Sequence, residues 1–246
     1  MGGGGGLTAV TRLVLPGASL AVGETLVPRS VAHHARVNRV LPGEPVELLD
    51  LAGRIAVGKL SSWNPDGSCW VEVFELVSGR GEPPLPLTLA LAVLHTQAFD
   101  WAVEKATELG ATAVVPVLTE RVQGRNHEKR VARWQRVACA AVAQCGRSLP
   151  PQVRAPQPLG SFLAEARGLK LVADFAGEAV SRLGPADAEG VVVLVGPEGG
   201  FSEQERAAIA EAGFSRVYLG PRTLRAETAA MSALVLVQSA LGWWTK

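Results

Sequence analysis

Up to about residue 78, short apolar runs alternate with turn-forming residues. Thr11–Leu15, Pro45–Asp50, Arg54–Leu60 and Cys69–Leu76 read as strands, and Pro42-Gly43 and Asn64-Pro65-Asp66-Gly67 read as turns between them. So short a piece avoids exposed sheet edges most simply as a small barrel of about five strands. Gly79 to Pro86, Gly-Arg-Gly-Glu-Pro-Pro-Leu-Pro, reads as an extended linker. Beyond it the period changes. Thr88–Leu94, Val114–Leu118, Leu169–Ala173, Val191–Val195 and Arg216–Leu219 are apolar runs of strand length. They alternate with helical spacing at Phe99–Leu109 (closed by Gly110 as a C-terminal cap), Glu128–Cys145, Ser202–Ala212 and Thr228–Trp244. That alternation predicts an α/β domain whose parallel sheet is covered on both faces. The boundary divides the chain into residues 1–80 and 81–246.

The last predicted helix is apolar nearly all round, through Ala229, Met231, Leu234, Leu236, Val237, Leu241 and Trp244. A helix of that kind is buried on more than one face, either inside the domain or against a second copy. Composition places the chain among ordinary globular proteins, with 48% hydrophobic and 19% charged residues. A net charge of +1 means that any nucleic-acid contact must come from locally clustered arginines. Cys69, Cys139 and Cys145 form no CxxC pair and no zinc-ligand spacing, so no metal is expected, and reduced thiols suit a cytoplasmic protein. The glycine run Met1–Gly6 lacks the basic flank and apolar core of a signal peptide and is expected to be a flexible tail. The longest apolar run, Leu234–Trp244, is interrupted by Gln238 and Ser239 and is too short to span a bilayer.

Two glycine-bearing loops hold the candidate chemistry. Val191–Val195 runs into Gly196-Pro197-Glu198-Gly199-Gly200 and then a helix, and ligands in open α/β sheets bind where strand ends meet such loops. The spacing matches neither GxGxxG nor GxxxxGK[ST]. Ser202 and Glu205 form an S-x-x-E capping box, and Glu198, Glu203 and Glu205 would repel a phosphate at that helix end. A neutral adenosine or a cationic sulfonium fits better, although a tight turn before a capped surface helix explains the glycines equally well. The second loop favours a ligand site. Arg216–Leu219 leads into Gly220-Pro221 and then Leu224-Arg225-Ala226-Glu227-Thr228-Ala229, presenting Arg225 and Glu227 two residues apart, with Thr228 as a candidate cap. Trp101, Trp134 and Trp243 fall at helical core positions, whereas Trp63 and Trp70 could stack on a base. His33, His34, His95 and His127 suggest no catalytic role.

These two loops, Leu194–Gly200 and Leu219–Ala229, closely resemble the C-terminal signature of the SPOUT superfamily. Within it the chain is similar to the ribosomal RNA small subunit methyltransferase E family, 16S ribosomal RNA uridine-N3 methyltransferases. Glu104–Gly110, Thr119-Glu120-Arg121 and Gln144-Cys145-Gly146-Arg147 agree as well, as does His33–Arg39 followed by Pro42-Gly43, so the resemblance covers nearly the whole chain in order. It departs at Ala226, where the family usually has Thr; at Gln97-Ala98-Phe99-Asp100, which lacks a usual basic residue; and at Asn38, which stands for a usual leucine.

The resemblance implies a small PUA-like β-barrel that binds RNA, followed by a catalytic domain tied in a trefoil knot, a fold that no general rule would propose. It implies a homodimer and an S-adenosylmethionine cofactor. The cofactor would lie against Leu194, Gly196, Pro197, Glu198, Gly199 and Gly200, and against Leu219, Gly220, Leu224, Arg225, Glu227, Thr228 and Ala229. Arg225, Glu227 and Glu198 are the catalytic candidates, and Arg36, Arg39, Arg121 and Arg147 are the candidates for holding RNA. The competing readings are another SPOUT reaction such as ribose 2′-O methylation, a non-catalytic RNA-binding or ribosome assembly factor, and a phosphate-nucleotide enzyme, which the missing motifs disfavour.

Overall fold

The computed structural model describes residues 10–121, 127–180 and 188–244; the Met1–Gly6 run and the His127 side chain lie outside the described residues. The chain forms two compact units. The first takes the residues up to Gly81 together with Val142–Leu149, and the second takes Glu82–Ala141 and Pro150 onward.

The first unit holds strands β1 (Thr11–Val14) and β2 (Gly23–Val27), helix α1 (Arg29–Val37), and strands β3 (Pro45–Leu49), β4 (Arg54–Trp63) and β5 (Cys69–Ser78). They make a mixed five-stranded sheet in the order β1-β3-β4-β5-β2, with β1 and β3 parallel and the other neighbours antiparallel. Among the described residues no pairing joins β1 to β2. Neither β2 nor α1 is among the elements that the sequence predicts. Helix α1 buries only Ala32 and Ala35, and its remaining positions are mostly arginine, histidine and other exposed residues. Its end is a Schellman turn: the Val40 N–H donates to the Ala35 carbonyl, and Arg39 (φ 56°) takes the left-handed position usual for glycine.

Residues 142–149 join this unit through specific contacts. Val142 is fully buried with Leu49 and Ile55. Arg12 donates to the Gln144 carbonyl at 2.9 Å, and Arg80 Nε donates to the Gly146 carbonyl at 3.2 Å. Both arginines also bond the carboxylate of Glu47, which is only 6% exposed: Arg12 at 3.0 Å, and Arg80 through both terminal nitrogens at 2.8 and 2.6 Å. Burial by itself would raise the Glu47 pKa; the hydrogen bonds and charges of Arg80 and then Arg12 outweigh it and hold the carboxyl below its ordinary range.

The second unit holds strands β6 (Leu87–Ala92), β7 (Ala113–Leu118), β8 (Gln152–Val153), β9 (Gln157–Pro158), β10 (Leu169–Ala179), β11 (Val191–Val195) and β12 (Ser215–Tyr218). Its helices are α2 (Thr96–Glu108), α3 (Val131–Cys145, preceded by a 3-10 turn over His127–Arg130, with its residues from Val142 counted in the first unit), α4 (Leu159–Glu165), α5 (Glu203–Glu211) and α6 (Ala226–Ala240). The strands form a seven-stranded sheet in the order β12-β10-β11-β6-β7-β8, with β9 also on β7, and every pairing is parallel. Alternate residues of one strand serve opposite faces. Leu87, Leu89 and Leu91 of β6 and Val191, Val193 and Val195 of β11 pack with Phe99, Trp134 and Leu234 from α2, α3 and α6. Ala90, Val192 and Leu194 face the other way, toward Phe162 of α4 and Ile209 of α5. Uninterrupted apolar runs are therefore what two covered faces require. Trp134 is core as expected, whereas Trp101 lies 42% exposed on the outer side of α2, which corrects its expected burial.

Two predicted features change in detail. Helix α6 starts at Ala226 with Arg225 at the N-cap, so Thr228 lies in the first turn and does not cap. Its buried Gln238 donates to the Leu109 carbonyl at 2.8 Å, satisfying the end of α2, so the polar interruption in the apolar run is a packed contact. Strand β10 runs past the predicted Ala173, because a register shift between Ala173 and Glu178 loops out the residues between and lets pairing with β12 resume.

Candidate active site

Strands β12, β10 and β11 are adjacent and parallel, so their C-terminal ends open on one edge of the sheet, the edge where α/β proteins bind ligands. Three segments leave that edge: the looped-out residues of β10, the glycine loop after β11, and the chain from β12 to α6. Together they line a cavity of about 470 Å³.

From the first loop, Gly196, Pro197, Glu198 and Gly200 line the cavity; from the second, Leu219, Gly220, Leu224 and Ala229 do. Leu194 does not, because its place in the β11 alternation turns it into the core against α4 and α5. Gly199, Arg225, Glu227 and Thr228 are not in the wall either. Arg225 and Thr228 are solvent-exposed and Glu227 half-buried, beside the lining residues Leu224 and Ala226. Glu227 stands in the first turn of α6, where a negative charge suits the helix dipole.

Sequence reasoning missed a third wall and several charges. Ala173, Asp174, Phe175 and Ala176 of β10 line the cavity, as do Arg206, Arg216, Tyr218 and Arg222. Asp174 Oδ1 accepts from the Ala176 N–H at 2.8 Å, holding the looped-out segment, and Phe175 is 63% exposed. The apolar run of β10 ends at Ala173, so nothing in its period marks the residues beyond as functional. Arg216 precedes the recognised loop and Arg222 lies within it, and only the shared cavity brings them together with Arg206 from α5.

The cavity accepts a ligand of cofactor size. At Gly200 (φ +67°) and Gly220 (φ +118°) nothing stands within 4 Å of where a Cβ would be, so the backbone is open to close approach. The volume lies within the ordinary range for small-molecule sites, about 300–1,000 Å³. Its charged side chains divide by sign: Asp174 and Glu198 suit a cation, while Arg206, Arg216 and Arg222 suit a carboxylate or phosphate. The predicted capping box is formed in full, the Glu205 N–H donating to Ser202 Oγ and the Ser202 N–H to Glu205 Oε2.

The arginines expected to hold RNA differ in setting. Arg36 and Arg39 are exposed on the first unit, and Arg36 lies 5.1 Å from the centre of the Trp63 ring. That ring is thus already covered by a cation, and its Nε1–H donates to the Val40 carbonyl, so Trp63 is less free to stack than expected. Arg121 is exposed and donates to the Gly199 carbonyl. Arg147 stands apart: at 4% exposure it is buried within the first unit, and the segment it belongs to is pinned by Arg12 and Arg80.

Residues 81–238 match the family described as RNA methyltransferase domain. The ribosomal RNA small subunit methyltransferase E of a Synechocystis species is 33% identical over 230 residues, 88% of this chain and 73% of the relative. The chain belongs to the ribosomal RNA small subunit methyltransferase E family. The Aquifex aeolicus member is 30% identical over 84% of this chain and 90% of its own. The crystal structure of the Neisseria gonorrhoeae member, bound to S-adenosyl methionine, superimposes with a TM-score of 0.83 and 32% identity, covering 94% of this chain and 97% of that one. Of this chain's departures from the family pattern, Ala226 lies buried in the cavity wall, so the missing hydroxyl is missing at the site itself. Phe99 is core, Asp100 pairs with Arg133, and Asn38 is an exposed cap residue of α1.

Among the described residues no cluster of His, Cys, Asp and Glu is placed to hold a metal ion, and no helix is long and apolar enough to cross a membrane.

Proposed function

We propose that this protein transfers the methyl group of S-adenosylmethionine to N3 of a uridine in 16S ribosomal RNA. The convergence of both glycine loops on one cavity, in a chain of this family, carries the reading. S-adenosylmethionine supplies an electrophilic methyl group on a sulfonium. The protein therefore has mainly to align partners and exclude water. Gly196, Pro197 and Gly200 offer close backbone approach, and Leu219, Leu224 and Ala229 supply apolar wall. Acidic Glu198 and Asp174 suit the cofactor's sulfonium, and Arg206, Arg216 and Arg222 suit its carboxylate.

N3 of uridine is a weakly acidic imide and reacts as its anion. Arg225, exposed at the N-cap of α6 beside the cavity, is placed to stabilise the negative charge that develops on the base. Glu227 or Glu198 takes the N3 proton. Residues 1–80, read as a PUA-like RNA-binding barrel, present Arg36 and Arg39 to the phosphates, and residues 81–246 carry the reaction. The return of the chain from β12 through the second loop to α6 is read as a trefoil knot, and exposed Leu236 and Trp244 as apolar surface covered by a second copy in a cytoplasmic homodimer.

The deciding experiment has two steps. Calorimetric titration with S-adenosylmethionine should show saturable binding. Incubation with 16S ribosomal RNA should then produce a primer-extension stop, because a methyl on N3 removes a Watson–Crick proton. A ribose 2′-O methyl leaves that edge intact, so methyl incorporation with no stop would select the ribose reaction. Arg225→Ala is expected to lower turnover at least about tenfold while cofactor affinity holds. Unchanged turnover would remove Arg225 from the mechanism.

Arg39 offers a separate test of RNA binding. An arginine in the left-handed region carries roughly 1 kcal/mol of strain that glycine avoids. Arg39→Gly should therefore fold at least as stably, yet bind ribosomal RNA several-fold more weakly and with a shallower salt dependence. Equal RNA affinity and salt slope would show that Arg39 makes no phosphate contact.

A further inference from the structure

We propose that Arg121 and Glu205 are positioning residues that hold the glycine loop of the cofactor cavity in its binding shape, and that Arg121 acts there rather than on RNA. This rests on the cavity being the S-adenosylmethionine site.

The observations form a closed ring between two loops distant in sequence. The segment Thr119-Glu120-Arg121 follows β7, and Gly196–Gly200 follows β11 and leads into α5. Arg121 Nη1 donates to the carbonyl of Gly199. The Arg121 stem also packs on that glycine: a Cβ at Gly199 would meet Arg121 Cδ at 3.2 Å and Cβ at 3.7 Å. Where the loop enters α5, Glu205 is 8% exposed and both of its carboxylate oxygens are engaged. Oε2 accepts from the Ser202 N–H at 2.9 Å, and Oε1 accepts from the Glu120 N–H at 2.9 Å.

A capping box uses one oxygen of its glutamate and leaves the other to solvent. Here the second oxygen crosses to the β7 loop, and the adjacent arginine of that loop reaches back to Gly199. The five-residue glycine loop is thus gripped just inside its end and at the helix start, both times by Thr119–Arg121. Gly199 does not line the cavity, whereas Glu198 and Gly200 on either side of it do. Neither Gly199 nor Arg121 lines the cavity, so this bond can preorganise the turn without filling its site. An arginine committed to a backbone carbonyl and packed along its stem is a poor candidate for a mobile phosphate contact.

The test uses the full chain in titrations with S-adenosylmethionine in the absence of RNA. Arg121→Ala and Glu205→Gln are each expected to weaken cofactor binding about tenfold, the loss expected for one buried or charge-assisted hydrogen bond. Arg121→Lys, which can still donate to the Gly199 carbonyl, should recover part of it. RNA affinity measured with saturating cofactor should be unchanged in Arg121→Ala, and melting temperatures of the Arg121 variants should stay near wild type because the side chain is exposed. Wild-type cofactor affinity in Arg121→Ala, with weakened RNA binding, would overturn the proposal and return Arg121 to the phosphate contacts. Loss of affinity that tracks loss of melting temperature in all three variants, with no recovery by lysine, would overturn it too. Failure of the wild-type protein to bind the cofactor at all would instead strike the underlying assignment of the cavity.

Discussion

Gly196→Val is expected to weaken S-adenosylmethionine binding roughly a hundredfold, the effect of about 3 kcal/mol of overpacking at the wall of the site. Gly196 directly follows β11, and a Cβ there would lie 2.9 Å from Phe201 Cε2 and 3.1 Å from Cζ. The Phe201 ring cannot simply move aside. It is 6% exposed, packed with Leu194, Ile209 and Phe214, and it also lines the cavity. The added side chain must therefore displace either the ring or the loop, and both form the wall. Gly200→Ala provides the contrast. Its φ of +67° disfavours a side chain, but nothing stands within 4 Å, so the strain of about 1 kcal/mol predicts only about a fivefold loss. Calorimetric titration of the two variants checks the order. Gly196→Val binding as well as wild type while remaining folded would mean that the ligand lies elsewhere.

Glu47→Ala is expected to destabilise the first unit by about 3 kcal/mol, or roughly 12–24 °C in its melting temperature. The substitution leaves Arg12 and Arg80 partly buried, with backbone carbonyls of residues 144 and 146 as their remaining acceptors. It thereby loosens the arginines that bind residues 142–149 to the sheet. The pH dependence should carry the same signature. Folding holds the Glu47 pKa below its unfolded value, so the stabilisation is complete above about pH 4.3 and fades as pH falls through the lower folded value. Asp50, 2% exposed, adds in the same direction: burial opposes its ionisation, but the Arg54 and Ala52 N–H groups and the Arg54 charge hold its pKa down. Thermal melts between about pH 7 and 3 should show wild type losing stability in acid and Glu47→Ala losing less of it. Parallel pH profiles would exclude Glu47 as a source of that dependence.

How much was legible varied by element. The strands β6, β7 and β11 stand out because both faces of a parallel sheet need apolar residues at every position. The α5 capping box is legible because its partners lie within one helical turn. Helix α1 is less so: its arginines and histidines oppose a buried face marked by only two small residues, Ala32 and Ala35. The seven-residue α4 is too short to show one. At the site, the glycine loops were recognisable as motifs, and eight of the residues expected to hold the cofactor do line the cavity: Gly196, Pro197, Glu198, Gly200, Leu219, Gly220, Leu224 and Ala229. Asp174 and Phe175 were not recognisable, because they sit in a looped-out stretch whose place is set by pairing with β12.

The sequence by itself determined the α/β class, most of the strands, the two glycine loops and the family, because each is written in neighbouring residues: a period, a cap, a motif. The tertiary structure alone decided where side chains with distant partners end up. It turned Leu194 into the core, buried Arg147, bent Arg121 back onto Gly199, and joined residues 142–149 to the first unit. Arg12 and the Gln144 carbonyl it bonds are 132 positions apart, and no local pattern encodes a hydrogen bond across such a gap. Only folding places Glu47 between Arg12 and Arg80, where its partly desolvated charge holds both arginines at those carbonyls.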